Sequence, residues 1–361
     1  MTNEAIPAAT IPDLFLEVAP GYSYPDPYDA PPLKWGILGP GGIARKFADN
    51  LPSYSGQRVI AVGSRNAERA AQFASEFGID PAQAYGSYEE LVADPEVDAV
   101  YVATPHIRHR EDALLALRAG KPVLVEKSFA MSEEQAREVF DEADARGLFA
   151  MEAMWSRHLP HYAWIREVLK AGSLGPLRYF SADHGQSLRN VPRLVEPELG
   201  GGAMLDLGVY PLHFQQMVLG YPEKIQSASR LSEKQIDLSD MVLSSYPGAT
   251  AVSTCQLDLS TPTTGELGFE GGGIQMRTRF YTPTSVVLEV SELDPQTMGV
   301  VGTRTETWDA TAPGGFQYQA AEAARCIAAG KTQSDVVPWS ATLDVQRMMD
   351  SVLKEAGYID R

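Results

Sequence analysis

A glycine-rich turn near residue 40 constrains the fold of this chain more than any other feature. The segment GPGGIA, residues 39–44, follows a short apolar run, precedes a helical pattern and fits the spacing G-x-G-x-x-G/A with alanine last. In such a turn the first glycine makes the bend, the second lets a pyrophosphate approach, and the helix N-terminus faces the phosphates. The alternative is a plain strand–helix turn. The predicted cofactor contacts are Gly39, Gly41, Gly42, Ile43 and Ala44.

Apolar runs and helical patterns alternate on both sides of this turn. Runs predicted as strands lie at residues 33–39, 58–64, 98–104, 122–126 and 148–153, with helical patterns between them. Continuously apolar strands separated by helices indicate a parallel sheet covered on both faces. Residues 33–155 are therefore predicted to form an α/β dinucleotide-binding domain, a doubly wound parallel sheet of the Rossmann type.

The pattern changes after a predicted helix at residues 160–172. Short, alternating, β-branched runs broken by Gly and Pro are typical of an antiparallel sheet, and two further helical patterns close the chain. With 361 residues the chain is long enough for two domains. Residues 156–361 are predicted to form an α+β substrate and dimerisation domain. It is built on a mostly antiparallel, open-faced sheet, and its C-terminal helices pack back toward the first domain.

Residues 1–32 form a proline-rich N-terminal segment that contains seven of the 25 prolines. Proline removes a backbone donor and restricts the residue before it, so we expect this segment to run extended. It is either an arm that lies on the body of the protein or a disordered leader. Leu14, Phe15 and Leu16 favour the arm.

Composition excludes several classes of function. A formal net charge of −17 opposes binding to a phosphate backbone, so no nucleic-acid partner is expected. No run of about 20 apolar residues predicts a membrane span, and the first residues lack the pattern of a signal peptide. Cys255 and Cys326 give neither a disulfide framework nor a metal-site spacing, which suits a reducing cytoplasm. We therefore expect a cytoplasmic protein without a metal.

The residues after the second predicted strand indicate which dinucleotide is bound. About 20 residues after the glycine turn, an acidic side chain would bind the ribose 2′-hydroxyl of NAD. This chain has Ser64, Arg65 and Asn66 there, without a carboxylate. A guanidinium and a hydroxyl suit a 2′-phosphate, so NADP is favoured over NAD. The alternative is that Arg65 is a solvated loop residue.

Two further segments place polar residues at the carboxyl ends of predicted strands, where open parallel sheets bind ligands. Lys127 is able to hold a substrate oxygen or to lower the pKa of a neighbouring acid; the alternative is a surface lysine beside a strand. The predicted contacts are Thr104, Pro105 and His106 after one strand, and Glu126 and Lys127 after the next.

The segment GGGAMLDLGVYPLHF, residues 200–214, carries a third group of polar residues. Asp206 and Tyr210 are four residues apart and share a helix face, with His213 near it. The alternative is an amphipathic core helix with incidental polar residues. Tyrosine, with a pKa of about 10, needs a nearby cation to act as a base at neutral pH. We therefore assign Tyr210 as the general acid/base. Lys127 is assigned as the cation that lowers the pKa of Tyr210 and as a donor to the substrate oxygen, and Asp206 as a group that orients the substrate or the lysine.

These motifs together resemble the Gfo/Idh/MocA oxidoreductase family. The similarity lies in GILGPGGIA, ATPHIRH, AGKPVLVEKS and GGGAMLDLGVYPLHF, and LFAMEAMWSRHLP is similar to the branch of dimeric dihydrodiol and NADP-dependent D-xylose dehydrogenases. The resemblance implies a reactive centre made of the EKP lysine, matched by Lys127, and a helix Asp and Tyr or His. Ser128 stands where the family usually has proline. Trp155 and Arg157 match the branch's W-x-R element, and with His213 they are the expected substrate contacts or, for Arg157, a brace at the domain junction.

The predicted function is an NADP-dependent oxidoreductase that moves a hydride between nicotinamide and a CH–OH or C=O group of a small sugar, polyol or trans-dihydrodiol. One alternative is a keto-sugar reductase of the anhydrofructose type, which uses the same residues in reverse. Another is an NADP-binding sensor or regulator without turnover, against which Lys127, Asp206 and Tyr210 argue. By analogy we expect a homodimer or a higher homo-oligomer, formed through the open sheet near residues 250–259.

Overall fold

The structure is a computed structural model that describes residues 11–357, so the outer ends of the predicted segments 1–32 and 156–361 lie outside the described residues. The N-terminal segment differs from the predicted extended chain, because Asp13–Val18 form a short helix, α1. Pro12 precedes this helix with a φ of −65° and Pro20 follows it, so proline flanks the helical turn without interrupting it. Phe15 is fully buried against Trp164 and Trp308, with ring centroids 4.6 and 5.8 Å away. From residue 11 onward the segment thus lies on the body of the protein.

A six-stranded parallel sheet forms the first half of the body, in the order β3-β2-β1-β4-β5-β6. Its strands are β1 Lys34–Leu38, β2 Arg58–Gly63, β3 Ala84–Tyr85, β4 Ala99–Val102, β5 Val123–Val125 and β6 Ala150–Glu152. The helices between them are α2 Gly42–Tyr54, α3 Ala67–Phe77, α4 Tyr88–Ala93, α5 His109–Arg118 and α6 Glu133–Arg146. Only the two-residue strand β3 lacks a predicted counterpart. The strand order places the carboxyl ends of β1, β4 and β5 side by side. The glycine turn, residues 104–106 and residues 126–127 follow these three ends.

An eight-stranded sheet forms the second half, in the order β14-β13-β12-β11-β7-β10-β9-β8. Its strands are β7 Leu177–Gly185, β8 Lys224–Leu231, β9 Asp237–Tyr246, β10 Ala249–Gln256, β11 Gly265–Phe269, β12 Gly272–Met276, β13 Ser285–Leu293 and β14 Val300–Asp309. All neighbours are antiparallel except β7 and β10. The predicted fold class is confirmed, and β11 is an additional strand. Gly265 within it has no room for a side chain, because a Cβ there would meet the Phe214 ring at 2.9 Å.

Helices cover one face of this sheet and reach the first domain. They are α7 Pro160–Ala171, α8 Pro192–Val195, α9 Val209–Leu219, α10 Phe316–Ala328 and α11 Trp339–Glu355. The helix α9 packs on β7 and β10, while α10 packs on α2 and α11 on α6. In β10 the residues facing the helices are buried and the alternate residues are more exposed, which leaves the other face of the sheet open. Within residues 11–357, every helix is too short or too polar to cross a membrane.

Candidate active site

The glycine turn between β1 and α2 leaves an open backbone cradle. Gly39 has a φ of +92°, and a Cβ there would meet the Ala103 carbonyl oxygen at 3.0 Å, so glycine is required. A Cβ on Gly41 or Gly42 would meet nothing within 4 Å, which shows that the space over the start of α2 is empty of protein. The buried Thr104 Oγ1, on the same cavity, has no hydrogen-bond partner among the described residues. A helix N-terminus, free amides and an unsatisfied hydroxyl fit a dinucleotide phosphate.

A cavity of about 790 Å³ runs from this cradle along the carboxyl edge of the sheet. Of the predicted cofactor contacts, those that line it are Gly39, Gly41, Gly42, Ile43, Ser64, Arg65, Thr104, Pro105, His106, Glu126 and Lys127. Ala44 is the exception: it is fully buried beneath the turn, where a small residue lets α2 approach the sheet. Burial raises the pKa of the Glu126 carboxyl to about 7, against the hydrogen bond that it accepts from Tyr101.

Two cavity residues at the predicted 2′-phosphate end were missed in the sequence. Arg69, in the first turn of α3, and Tyr88, at the start of α4, line the cavity together with Arg65. Burial raises the pKa of the Tyr88 phenol, against the charge of the nearby Arg65 guanidinium. The four-residue spacing of Arg65 and Arg69 was the available signal for Arg69. Among residues 11–357, the carboxylates that line this cavity are Glu126, which follows β5, and Asp206, which lies in the second domain.

Lys127 and Asp206 form a buried ion pair between the two domains. The Lys127 Nζ donates to the Asp206 main-chain oxygen at 2.7 Å and to its Oδ1 at 3.2 Å, and Arg193 donates to the same Oδ1 at 3.0 Å. Burial opposes ionisation of Asp206, but the two cations outweigh it and lower the pKa of this carboxyl well below its usual value. Asp206 is therefore a carboxylate that contacts Lys127 directly, and Arg193 is a second partner that the sequence did not indicate.

The Tyr210 hydroxyl lies beside the indole of Trp155, whose Nε1 donates to it at 3.2 Å. Lys127 lies elsewhere: its Nζ is 5.1 Å from the centroid of the Tyr210 ring, and its hydrogen bonds go to Asp206. Burial raises the pKa of the Tyr210 phenol well above 10, against the hydrogen bond from Trp155. The predicted lowering of this pKa by Lys127 is therefore not seen, because the ammonium faces the ring and not the phenol oxygen. Trp155 is the direct partner of that oxygen.

Trp155 is itself held in place by packing. Its ring stacks on Phe316 with centroids 4.9 Å apart and meets the edge of Tyr281 at 6.3 Å. Gly315 has a φ of +141°, and a Cβ there would lie only 2.5 Å from the indole Cζ3. The backbone at Gly315 therefore touches the indole directly and fixes the donor that faces Tyr210.

Buried polar groups hold the loop that carries Lys127, in which the Lys127–Ser128 peptide is cis. His106 Nε2 lies 3.1 Å from the Lys127 carbonyl oxygen, and the two ring nitrogens of His109 lie 2.8 Å from the carbonyl oxygens of Ser128 and Thr104. The Ser128 hydroxyl donates to the Leu205 carbonyl at 2.8 Å, a bond that the family's proline has no donor to make. The loop is thus tied both to the first domain and to the turn that contains Asp206.

Two predicted substrate contacts lie away from both cavities. His213 is fully buried, with Nε2 2.9 Å from Glu152 Oε2, and Arg157 is buried and donates to Gln216 at 2.8 Å. Contrary to the prediction, His213 does not lie on the helix face of Asp206 and Tyr210, because Met204–Gly208 form a π-helical turn in place of an α-helix. A π turn adds a residue and shifts the phase of the residues after it. Asp206 and Tyr210 still reach the site, whereas His213 faces the interior.

A second cavity, of about 410 Å³, meets the first at Lys127, Asp206 and Tyr210. Trp155, Tyr281 and Phe316 give it an aromatic wall. Its other side chains include Asn50, His184, Gln186, Lys46 and Arg279. Burial lowers the pKa of His184 to about 3, so its ring is neutral. Among residues 11–357, no group of three or more His, Cys, Asp or Glu side chains is arranged to hold a metal ion.

Two family models match this chain. A model described as "Oxidoreductase family, NAD-binding Rossmann fold" matches residues 33–154, and the GFO/IDH/MocA C-terminal domain matches residues 162–275. The trans-1,2-dihydrobenzene-1,2-diol dehydrogenase of Mus musculus is 36% identical over 333 residues, covering 90% of this chain and 97% of the relative.

The chain belongs to the Gfo/Idh/MocA oxidoreductase family.

A second Gfo/Idh/MocA relative is a D-xylose 1-dehydrogenase (NADP(+)) of Hypocrea jecorina, 34% identical over 370 residues, with 90% of this chain and 92% of the relative covered. A solved 3-ketoreductase from Actinomadura kijaniata, in complex with NADP and TDP-benzene, superposes with a TM-score of 0.76 at 27% identity, over 89% of this chain and 97% of that one. An aldose-aldose oxidoreductase from Caulobacter crescentus has a TM-score of 0.78 at 21% identity, over 90% and 97% of the two chains, and shares the fold. These comparisons confirm the predicted Gfo/Idh/MocA resemblance and make the protein an oxidoreductase.

Proposed function

We propose that the protein transfers a hydride between the nicotinamide of NADP and a CH–OH or C=O carbon of a small sugar, polyol or trans-dihydrodiol. One observation carries the proposal: Lys127, Asp206 and Tyr210 line both cavities, at the place where the two meet. A dinucleotide with its pyrophosphate on the glycine turn and its 2′-phosphate near Arg65 and Arg69 would reach this junction with its nicotinamide. The second cavity is of a size that suits a small ligand. Relatives named for D-xylose and for a dihydrodiol support the substrate classes.

The reaction moves two electrons and two protons. Oxidation of CH–OH gives C=O, NADPH and one proton; NADP, when bound, supplies the carbon that accepts the hydride. Tyr210 accepts the hydroxyl proton in oxidation and donates it in reduction. The Trp155 N–H donates to the Tyr210 oxygen, so the phenol proton points away from the indole. An ammonium has three donors, and Lys127 gives two of its contacts to Asp206, which leaves a donor for the substrate oxygen. This donor balances negative charge that develops on the oxygen.

The raised pKa of Tyr210 favours a second candidate direction, reduction of a keto-sugar. A protonated phenol is ready to donate to a carbonyl oxygen as hydride arrives, whereas oxidation first requires that phenol to lose its proton. The reductase therefore uses the same side chains in reverse. A sensor without turnover remains the other alternative from the sequence.

An absorbance screen at the NADPH band tests the function in both directions. We expect NADPH to form with at least one member of a panel of aldoses, polyols and trans-dihydrodiols, or to be consumed with the matching keto-sugars. Oxidation is expected to accelerate as pH rises, because it must remove the phenol proton, whereas reduction is expected to keep its rate between about pH 6 and 9, because a phenol with a pKa well above 10 stays protonated there. Binding of NADP without turnover on the whole panel would refute the enzyme and support the sensor.

The open face of the large sheet supports the proposed homodimer. Met241 and Leu243 on β9 are 55% and 42% exposed, and Leu243 pairs with Val252 on β10. Tyr179 on β7 is exposed on the same face. A second copy of the chain is the proposed occupant, since these residues form a patch on neighbouring strands. A cytoplasmic location stays a prediction.

Replacing both Met241 and Leu243 with aspartate is expected to convert a dimer into a monomer, because the charges would be buried without partners at the interface. Light scattering after size-exclusion chromatography gives the mass directly. Val301→Asp, on the edge strand β14, is the matched control and should leave the dimer intact. A wild-type protein that elutes with the mass of one chain at micromolar concentration would contradict the proposal.

A further inference from the structure

The second cavity carries a positive charge that its proposed neutral substrates do not need. Its charged side chains are Lys46, Lys127, Arg279 and Asp206, three cations and one carboxylate. This is unusual in a chain whose formal net charge is −17. Asp206 already pairs with Lys127 and with Arg193 from outside this cavity. The charges of Lys46 and Arg279 are therefore not balanced by any acidic group that lines the cavity.

Lys46 and Arg279 also lack partners elsewhere in the described part of the chain, where neither side chain makes a hydrogen bond or an ion pair. Arg45, the residue before Lys46 in α2, pairs with Glu76 at 3.0 Å, and many other surface arginines are paired in the same way. The two cations come from different domains, α2 and the turn after β12, and both line the second cavity.

Arg279 is held at the cavity by an unfavourable backbone conformation. Its φ of +62° lies in the left-handed region, which residues other than glycine rarely adopt. The Arg279 carbonyl accepts hydrogen bonds from the amide of Thr282 at 2.8 Å and from its hydroxyl at 2.9 Å, which closes the turn. The same turn brings Tyr281 to the cavity, where its phenol accepts from Gln186 at 2.9 Å.

We propose that the substrate of this site is an anionic sugar or polyol, whose carboxylate or phosphoryl group binds between Lys46 and Arg279. The inference rests on the proposed function, because its CH–OH or C=O group must reach Tyr210 and Lys127. Guanidinium and ammonium groups form their strongest hydrogen bonds with carboxylates and phosphates. With a neutral aldose or a dihydrodiol, Lys46 and Arg279, which are both exposed, would face only solvent. The aromatic wall of Trp155, Tyr281 and Phe316 packs against the carbon skeleton between the two ends.

Matched neutral and anionic ligands test the proposal with the full-length protein saturated with NADP⁺. The probes are D-glucose with D-glucuronate and D-glucose 6-phosphate, and D-galactose with D-galacturonate. Calorimetry measures binding and NADPH absorbance measures kcat/KM. We expect at least one anionic probe to bind and react about 10-fold to 100-fold better than its neutral partner, and the preference to fall as salt rises from about 0.05 to about 0.5 M. The uronates and the phosphate separate the two kinds of anion.

The variants Lys46→Gln and Arg279→Gln should each lower this preference about tenfold, with little effect on the neutral probe or on the Kd of NADP⁺. Arg277→Gln is the control, since Arg277 is exposed two residues from Arg279 and lies outside both cavities. Neutral probes that bind as well as anionic ones would overturn the proposal, and so would an equal loss in Arg277→Gln. Weaker NADP⁺ binding in Lys46→Gln would assign that cation to the cofactor instead. Anion-selective binding without NADPH formation would refute the proposed oxidation and still support an anion-binding site between Lys46 and Arg279.

Discussion

Replacing Tyr210 with phenylalanine is expected to lower kcat by about 10²–10⁴, the usual size of general acid–base catalysis. The variant keeps the ring that packs against Tyr281 and His184, and it loses only the oxygen that accepts from Trp155. Affinity for NADP should therefore stay within about twofold. Stopped-flow and steady-state kinetics with the substrate found in the screen measure the loss, and fluorescence titration measures cofactor binding.

Tyr246→Phe is the matched control for this experiment. The Tyr246 hydroxyl also sits in a hydrogen-bond network, accepting from Gln215 at 2.9 Å and donating to the Gly220 carbonyl at 3.0 Å, but it lies outside both cavities. Its loss should lower thermal stability and leave kcat almost unchanged. If Tyr210→Phe retains near-normal turnover while Tyr246→Phe behaves as expected, the proton is carried by another group, such as Lys127 or water.

The double variant Arg65→Ala/Arg69→Ala is expected to weaken NADP binding by about 10²–10³ and NAD binding by less than about threefold. The reason is that each guanidinium lines the end of the cavity where we propose the 2′-phosphate, and would donate charge-assisted hydrogen bonds to this group, which NAD lacks. Dissociation constants for both dinucleotides, measured at one ionic strength, give the ratio directly.

Arg137→Ala controls for the loss of a cation from the same domain. Arg137 is an exposed arginine of α6 that pairs with Glu133, away from the cavity. It should leave both dissociation constants unchanged. Equal losses of NADP and NAD affinity in the double variant would show that the two arginines act through the fold or the general potential of the site, and would remove their role in cofactor choice.

The first domain followed from the sequence because its signals are local. A strand buried on both faces reads as a continuous apolar run, and the turn at Gly39 carries glycine where no other residue fits. Each predicted strand of that domain therefore has its counterpart among β1, β2, β4, β5 and β6. The strand β11 was missed for the opposite reason. Gly265 and Gly268 are poor strand formers, and the ring of Phe214, distant in sequence, is what favours glycine at 265.

The sequence indicated which residues line the junction of the two cavities, but not the contacts that these residues make. Lys127, Asp206 and Tyr210 were selected by residue type and spacing, and the structure brings them together. The hydrogen bond from Trp155 to Tyr210 joins residues 55 apart, and such a pairing is set by how two domains pack. The π turn at Asp206 has no clear sequence signal, so an α-helical phase placed His213 on the wrong side. Loops contribute Gln186, Arg279 and Tyr281 to the second cavity, and sequence spacing does not fix the course of a loop.

The N-terminal arm has a consequence for how the chain is made. The amide of Leu14 donates to the Glu306 carboxylate across 292 residues, and Phe15 buries its ring beside Trp308. At synthesis rates of about 5–20 residues per second, these partners leave the ribosome about 15–60 s after the arm. The nucleotide-binding domain is fully synthesised well before that time and is able to fold while the N-terminal arm is still undocked. Docking of the first helix against the last strand is thus a late event of biogenesis, which closes the molecule only after nearly all of it has been translated.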